Sequence, residues 1–85
     1  MLKDDKLVLL FNKLIIKYSA NLKKNNFHCG EIINLIFENQ NKNGSIEQQL
    51  VKITDGRLYN QEKIKQIAIK AGYNVDEKYV IYVNN

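Results

Sequence analysis

The chain has no proline, no tryptophan, one cysteine and only four glycines among its 85 residues. A lone cysteine cannot close an internal disulfide and leaves too few thiols for a structural zinc knuckle. Without proline and with little glycine, long helices are permitted. A membrane-spanning helix is not expected, because it needs roughly 18 uninterrupted apolar residues and the stretch Leu7–Ile16 is broken by Asn12 and Lys13. The same stretch makes a poor export signal, since Asp4 and Asp5 stand where positive charge belongs. The expected setting is therefore a reducing cytoplasm. A glycine-rich phosphate loop is missing, and no carboxylate pair is marked by spacing for acid/base work. The sequence implies no enzyme, no cofactor and no metal.

What is present reads as one small globular domain over residues 1–85. Apolar residues make up 45% and charged residues 26%, which is too apolar for a disordered tail. The net charge is +4, carried by twelve lysines and a single arginine, Arg57. Asn, Lys and Ile fill 35 of the 85 positions. All three have A/T-rich codons, so a base-composition bias accounts for part of the basicity. Few arginines also weaken any case for base-specific reading, because bidentate contacts to guanine favour that side chain.

Asn-rich joints at Asn25–Asn26 and Asn39–Gly44, with Asp55–Gly56 as a third break, divide the chain into four helical candidates and a terminal strand. The first helix is expected from Asp4 to Lys24, with Leu7, Leu10, Phe11, Leu14, Ile15, Tyr18 and Leu22 on one apolar arc. Leu9 and Ile16 fall opposite that arc, beside Ala20. Either another part of the chain covers them or they form a homodimer contact. The second helix, Gly30 to Gln40, places Ile32, Ile33, Ile36 and Phe37 on one side. A third begins at Ser45 with Gln48 at capping-box spacing and stops at Asp55–Gly56, although a strand through Leu50–Thr54 competes. The fourth is capped by Asn60, buries Ile64, Ile67, Ala68 and Ala71, and ends at Gly72. Tyr79–Val83, β-branched and aromatic, reads as a strand. Its partner is Tyr73–Val75, the Arg57–Tyr59 segment or a second chain. The fold class is α+β, mainly α, with three to four helices followed by a C-terminal strand or hairpin.

Within Ile64–Tyr73, a small residue (Ala68) precedes a turn glycine (Gly72) by four positions. This resembles the first helix and turn of a helix-turn-helix. The resemblance spans about ten residues and departs after the turn, where a strand replaces the second helix; a winged-helix arrangement accommodates that order. Alternatively, the pattern is simply how a packed helix ends.

Charge is distributed unevenly. Residues 1–29 carry +4, residues 30–56 carry −2 and residues 57–85 carry +2. The third helix, with Glu47 and Asp55 expected to face a polyanion, is a poor groove reader. The fourth is better, because Lys63, Gln66 and Lys70 share one exposed side. Arg57 and Lys78 would touch flanking phosphates. The leading expectation is thus a small nucleic-acid-binding regulatory or accessory protein, DNA ahead of RNA, working as a homodimer. The alternative is a protein-interaction module, an adaptor or inhibitor of a larger protein, that uses Leu9, Ile16, Ile69 and the edge of Tyr79–Val83.

Two further patterns are weaker. Asn39–Leu50 has the oxygen spacing of an EF-hand loop, but its early ligands are amides and Leu50 stands where a bidentate Glu is needed. It reads as a turn. His28 and Cys29 are adjacent at a helix start; adjacent side chains there point apart, so Cys29 reads as a small buried residue rather than a nucleophile.

Overall fold

The computed structural model describes residues 3–83. Its elements run α1 (Lys3–Leu22), β1 (Asn26–His28), α2 (Cys29–Asn39), α3 (Ile46–Ile53), α4 (Gln61–Lys70), β2 (Asn74–Val75) and β3 (Val80–Tyr82). The class is α+β, mainly α. At about 1.5 Å rise per residue, α1 is about 30 Å long, and the molecule measures 30 × 26 × 21 Å. α3 and α4 pack against this long helix, and α2 packs against α3 and α4. Phe11, Leu14 and Ile15 of α1 meet Ile32 and Ile36 of α2, Leu50 of α3 and Ile64 of α4 in a core closed to water. No described helix is long and apolar enough to cross a membrane.

Helix starts follow their caps. Ser45 Oγ accepts from the Gln48 amide at 3.0 Å, and Asn60 Oδ1 accepts from the Lys63 amide at 3.2 Å. Three helix ends share one geometry, in which the amide of C″ reaches back to the carbonyl five residues earlier. These are Lys24 to Ser19, Gly56 to Val51, and Tyr73 to Ala68. The left-handed position is filled by Lys23 (φ 52°), Asp55 (φ 53°) and Gly72 (φ 96°) in turn. At the second end the non-glycine Asp55 takes the turn together with Gly56.

Several expectations are corrected. Leu22 is exposed, because α1 ends there and the Lys23 turn carries it past the core. Phe37 is exposed rather than packed with Ile32 and Ile36. The third helix stands as expected and the competing strand through Leu50–Thr54 does not form: α3 runs through Ile53, and Thr54 Oγ1 closes it by donating to Leu50 O. Asn26, assigned to a joint, opens strand β1.

In the sheet, the expected pairing of the terminal strand with Tyr73–Val75 stands, and the largest correction is the added strand β1. β3 lies in the middle, antiparallel to both neighbours, in the order β1-β3-β2. Ile81 faces Phe27 on one side and Val75 on the other. Ile81 and Phe27 are both closed to water, which fixes the register, since a one-residue slip of either strand would turn its own buried side chain outward. Arg57–Tyr59 forms no strand, and β3 has no free edge to offer a partner. The β2–β3 turn is tied by Asp76, whose Oδ1 accepts from the Lys78 and Val80 amides and whose Oδ2 accepts from the Tyr82 hydroxyl. Those bonds, the Val80 amide first, hold the Asp76 carboxyl below its usual range.

Candidate nucleic-acid interface

α4 is set by its buried stripe. Ile64, Ile67 and Ala68 point into the core, which turns Lys63, Gln66 and Lys70 outward together, all three exposed. Before the helix, the chain leaves α3 through the Asp55–Gly56 turn, and Leu58 anchors the connection at zero exposure. Arg57, just ahead of that anchor, comes to the same place as Lys63. The two line a cleft of about 170 Å³ together with Lys3 and Asp4 at the start of α1 and Asp55 after α3, so two carboxylates share its wall with three cations. Lys70 lies 3.9 Å from Asp4, with both side chains well exposed. Such a pair is weak and yields readily to a stronger anion.

The structure therefore brings Arg57 and Lys63 to one cleft and continues their surface through Gln66 and Lys70. Lys78 stands separately, in the β2–β3 turn. That turn is strapped to another flank of α4. The Tyr79 hydroxyl donates to Glu62 at 3.0 Å, and the Lys65 ammonium sits 5.3 Å from the Tyr79 ring centroid. Tyr79 itself has φ 63°, a strained angle for a bulky residue, and its carbonyl accepts from the Cys29 amide. The bond to Glu62 raises the Tyr79 phenol, because the nearby carboxylate opposes a second negative charge.

After the turn at Gly72 comes a strand, as the departure from a helix-turn-helix implies. Ala68 is fully buried and Gly72 takes the left-handed cap, so the pair Ala68 and Gly72 here ends a packed helix.

Glu47 reverses its expected role. It is completely buried between α3 and α1, accepting from Tyr18 Oη at 2.6 Å and from Lys17 Nζ at 2.8 Å through Oε2. Oε1 has no partner. Burial alone would raise this carboxyl, but the bonds from Lys17, Tyr18 and its own amide outweigh burial and leave it lowered. Tyr18 is raised in turn by burial and by the same carboxylate. Glu47 therefore presents no negative charge to a ligand at α3.

Sequence reasoning missed an exposed aromatic pair. Phe37 and Tyr59 are 62% and 37% exposed, with ring centroids 5.9 Å apart and planes at 75°. The Tyr59 hydroxyl donates to Gln40 Oε1 at 2.7 Å. The only local signal was the outward position of Tyr59 between buried Leu58 and the Asn60 cap.

Of the assembly candidates, Leu9 and Ile16 are 43% and 63% exposed on α1, and Ile69 is 51% exposed on α4. Within the described residues the chain does not cover them. His28 Nδ1 caps α2 by accepting from the Gly30 amide at 2.9 Å. The Cys29 thiol is fully buried, and burial pushes it up to about 11, which keeps it protonated at neutral pH. Of the segment Asn39–Leu50, residues 40–45 connect α2 to α3 and Leu50 lies in the core, and no metal-binding cluster of His, Cys, Asp or Glu occurs among the described residues. No family model, curated protein or solved structure matches this chain.

Proposed function

We propose that the chain is a small nucleic-acid-binding protein, DNA ahead of RNA, that acts as a cytoplasmic regulatory or accessory factor. The observation that carries the reading is the convergence of Arg57 and Lys63 on one cleft, extended along α4 by Gln66 and Lys70. Arg57, Lys63 and Lys70 can each displace condensed counterions from a phosphate backbone, which drives association without reading sequence. Burial of Glu47 adds support, because it removes the carboxylate that would have opposed a polyanion at α3. Pairing of two chains through Leu9 and Ile16 belongs to the same reading, since a second copy would double the cationic surface.

The test is anisotropy of labelled nucleic acid across salt. With three phosphate contacts the slope of log K against log salt is about −2 for a single strand and about −2.7 for a duplex. Lys63→Glu with Lys70→Glu should abolish binding with circular dichroism unchanged, since both side chains stand in water. Unchanged binding in that double variant would remove α4 from the interface.

A second reading rests on the exposed Leu9, Ile16 and Ile69, which make the chain an adaptor or inhibitor that contacts a larger protein. It no longer draws on β3, which is paired on both sides. Absence of binding to any nucleic acid at about 50 mM salt, where phosphate contacts are strong, would favour it.

A further inference from the structure

We infer that Phe37 and Tyr59 form a platform on which an unpaired base stacks, which makes single-stranded nucleic acid the preferred ligand. This rests on the nucleic-acid reading and narrows it.

The two rings are neither core residues nor stray surface ones. Phe37 sits in the last turn of α2 and Tyr59 directly before the cap of α4, so they come from separate elements and meet at 5.9 Å. Their planes cross at 75°. In such an edge-to-face pair, the ring that gives its edge keeps both faces clear of its partner. The bond from Tyr59 to Gln40 fixes the phenol in place, so little side-chain freedom remains to be lost on binding. Leu58, immediately before Tyr59, is fully buried; the backbone thus aims Tyr59 outward while its neighbour seals the core.

The surroundings favour a base over an apolar peptide. A protein-docking patch is a broad contiguous apolar area, whereas here Tyr59 bonds to the Gln40 amide and the chain neighbours of the rings include the exposed polar residues Glu38 and Asn60. Amides match the donor and acceptor edges of bases. Tyr59 also lies within the segment that joins the two cleft cations, Arg57 and Lys63. A strand whose phosphates follow those cations would run along the segment that carries Tyr59. Every base has a stacking face, so the platform needs no sequence. In a duplex those faces are already stacked on one another.

The experiment uses the full chain with a fluorescein-labelled single strand of about 12 nucleotides, the span of a typical single-strand site, and with its duplex form. Affinities are measured at several salt concentrations. Wild type should bind the single strand more tightly than the duplex. Phe37→Ala should weaken single-strand binding about tenfold or more while leaving the salt slope and the duplex affinity unchanged, since no phosphate contact is lost. Phe37→Tyr keeps the ring and should keep the affinity; circular dichroism should match wild type for both.

Equal single-strand binding by wild type and Phe37→Ala overturns the platform while the nucleic-acid reading stands. The same follows if Phe37→Ala weakens duplex and single strand alike. Failure of wild type to bind either form defeats the underlying reading itself. If Phe37→Ala instead dissociates an assembly seen by light scattering, the rings are a protein contact and the platform is overturned.

Discussion

Between α1 and α3 one carboxylate is sealed from water and held by Tyr18 and Lys17, whereas along α4 two lysines stand in solvent with only a distant partner for one of them. The two regions use charge for different ends. A buried charge is costly to desolvate and tolerates only the arrangement that satisfies it, so Glu47 fixes how α1 and α3 meet. An exposed lysine is nearly neutral for folding and remains available to a ligand.

Substitution at Glu47 should cost the fold most. Glu47→Ala leaves the Tyr18 hydroxyl buried without an acceptor and opens a void, so it should cost about 2–4 kcal/mol in urea unfolding. Tyr18→Phe removes one bond to a charged group and should cost less, about 1.5–3 kcal/mol. A loss below about 0.5 kcal/mol, the range of ordinary surface changes, would show that Glu47 is not an organising contact.

Acid sharpens the same contrast. The Glu47 carboxyl titrates in the folded chain below its ordinary value of 4.5. Its contribution is fully present above that value and is lost as pH falls through the lower folded value. Unfolding free energy should therefore decline on acidification beneath about 4.5, and Glu47→Gln should flatten the decline. Asp76 is lowered as well, so some slope persists in that variant. An unaltered slope would place the titration elsewhere.

The smallest folding effect belongs to the outer face of α1. Leu9→Lys with Ile16→Lys should change stability by no more than about 0.5 kcal/mol, because the fold leaves both side chains exposed. It should nevertheless convert a dimer to a monomer by light scattering. A monomeric wild type at about 100 µM, where even a weak dimer of roughly −8 kcal/mol is populated, would remove α1 from the proposed assembly.

What could be read in the chain was local. Ser45 finds its partner three residues away, and so does Asn60, so both helix starts were visible in short windows; Gly72 marked an end for the same reason. Glu47 and Glu62 show where such reading stops. Each follows its cap by two residues, in the first turn of a helix. In sequence they are equivalent, yet α1 lies over one and solvent over the other. The difference comes from a neighbour 29 positions away in the chain, Tyr18. The same limit hid β1, whose three residues become a strand only because Val80–Tyr82 lies beside them, and it hid the Phe37–Tyr59 pair, assembled from two elements. Of the candidate interface, the α4 cations were legible as a helical face, but the convergence of Arg57 with Lys63 depends on how the Asp55–Gly56 turn swings the chain.

The placement of β3 has a consequence for the order of events during synthesis. A ribosome makes β1 early and β3 last of the three strands, although β3 is the one both others need. Until Val80–Tyr82 emerges, Phe27 has no Ile81 opposite it and β1 no hydrogen-bonding partner. The helices rely on nearer neighbours and can gather first, while the β1–β3 pairing waits on a distant contact. A chain halted before residue 80 is therefore left with Phe27 uncovered and the backbone of Asn26–His28 unpaired, features by which chaperones and proteases can tell an unfinished chain from a finished one.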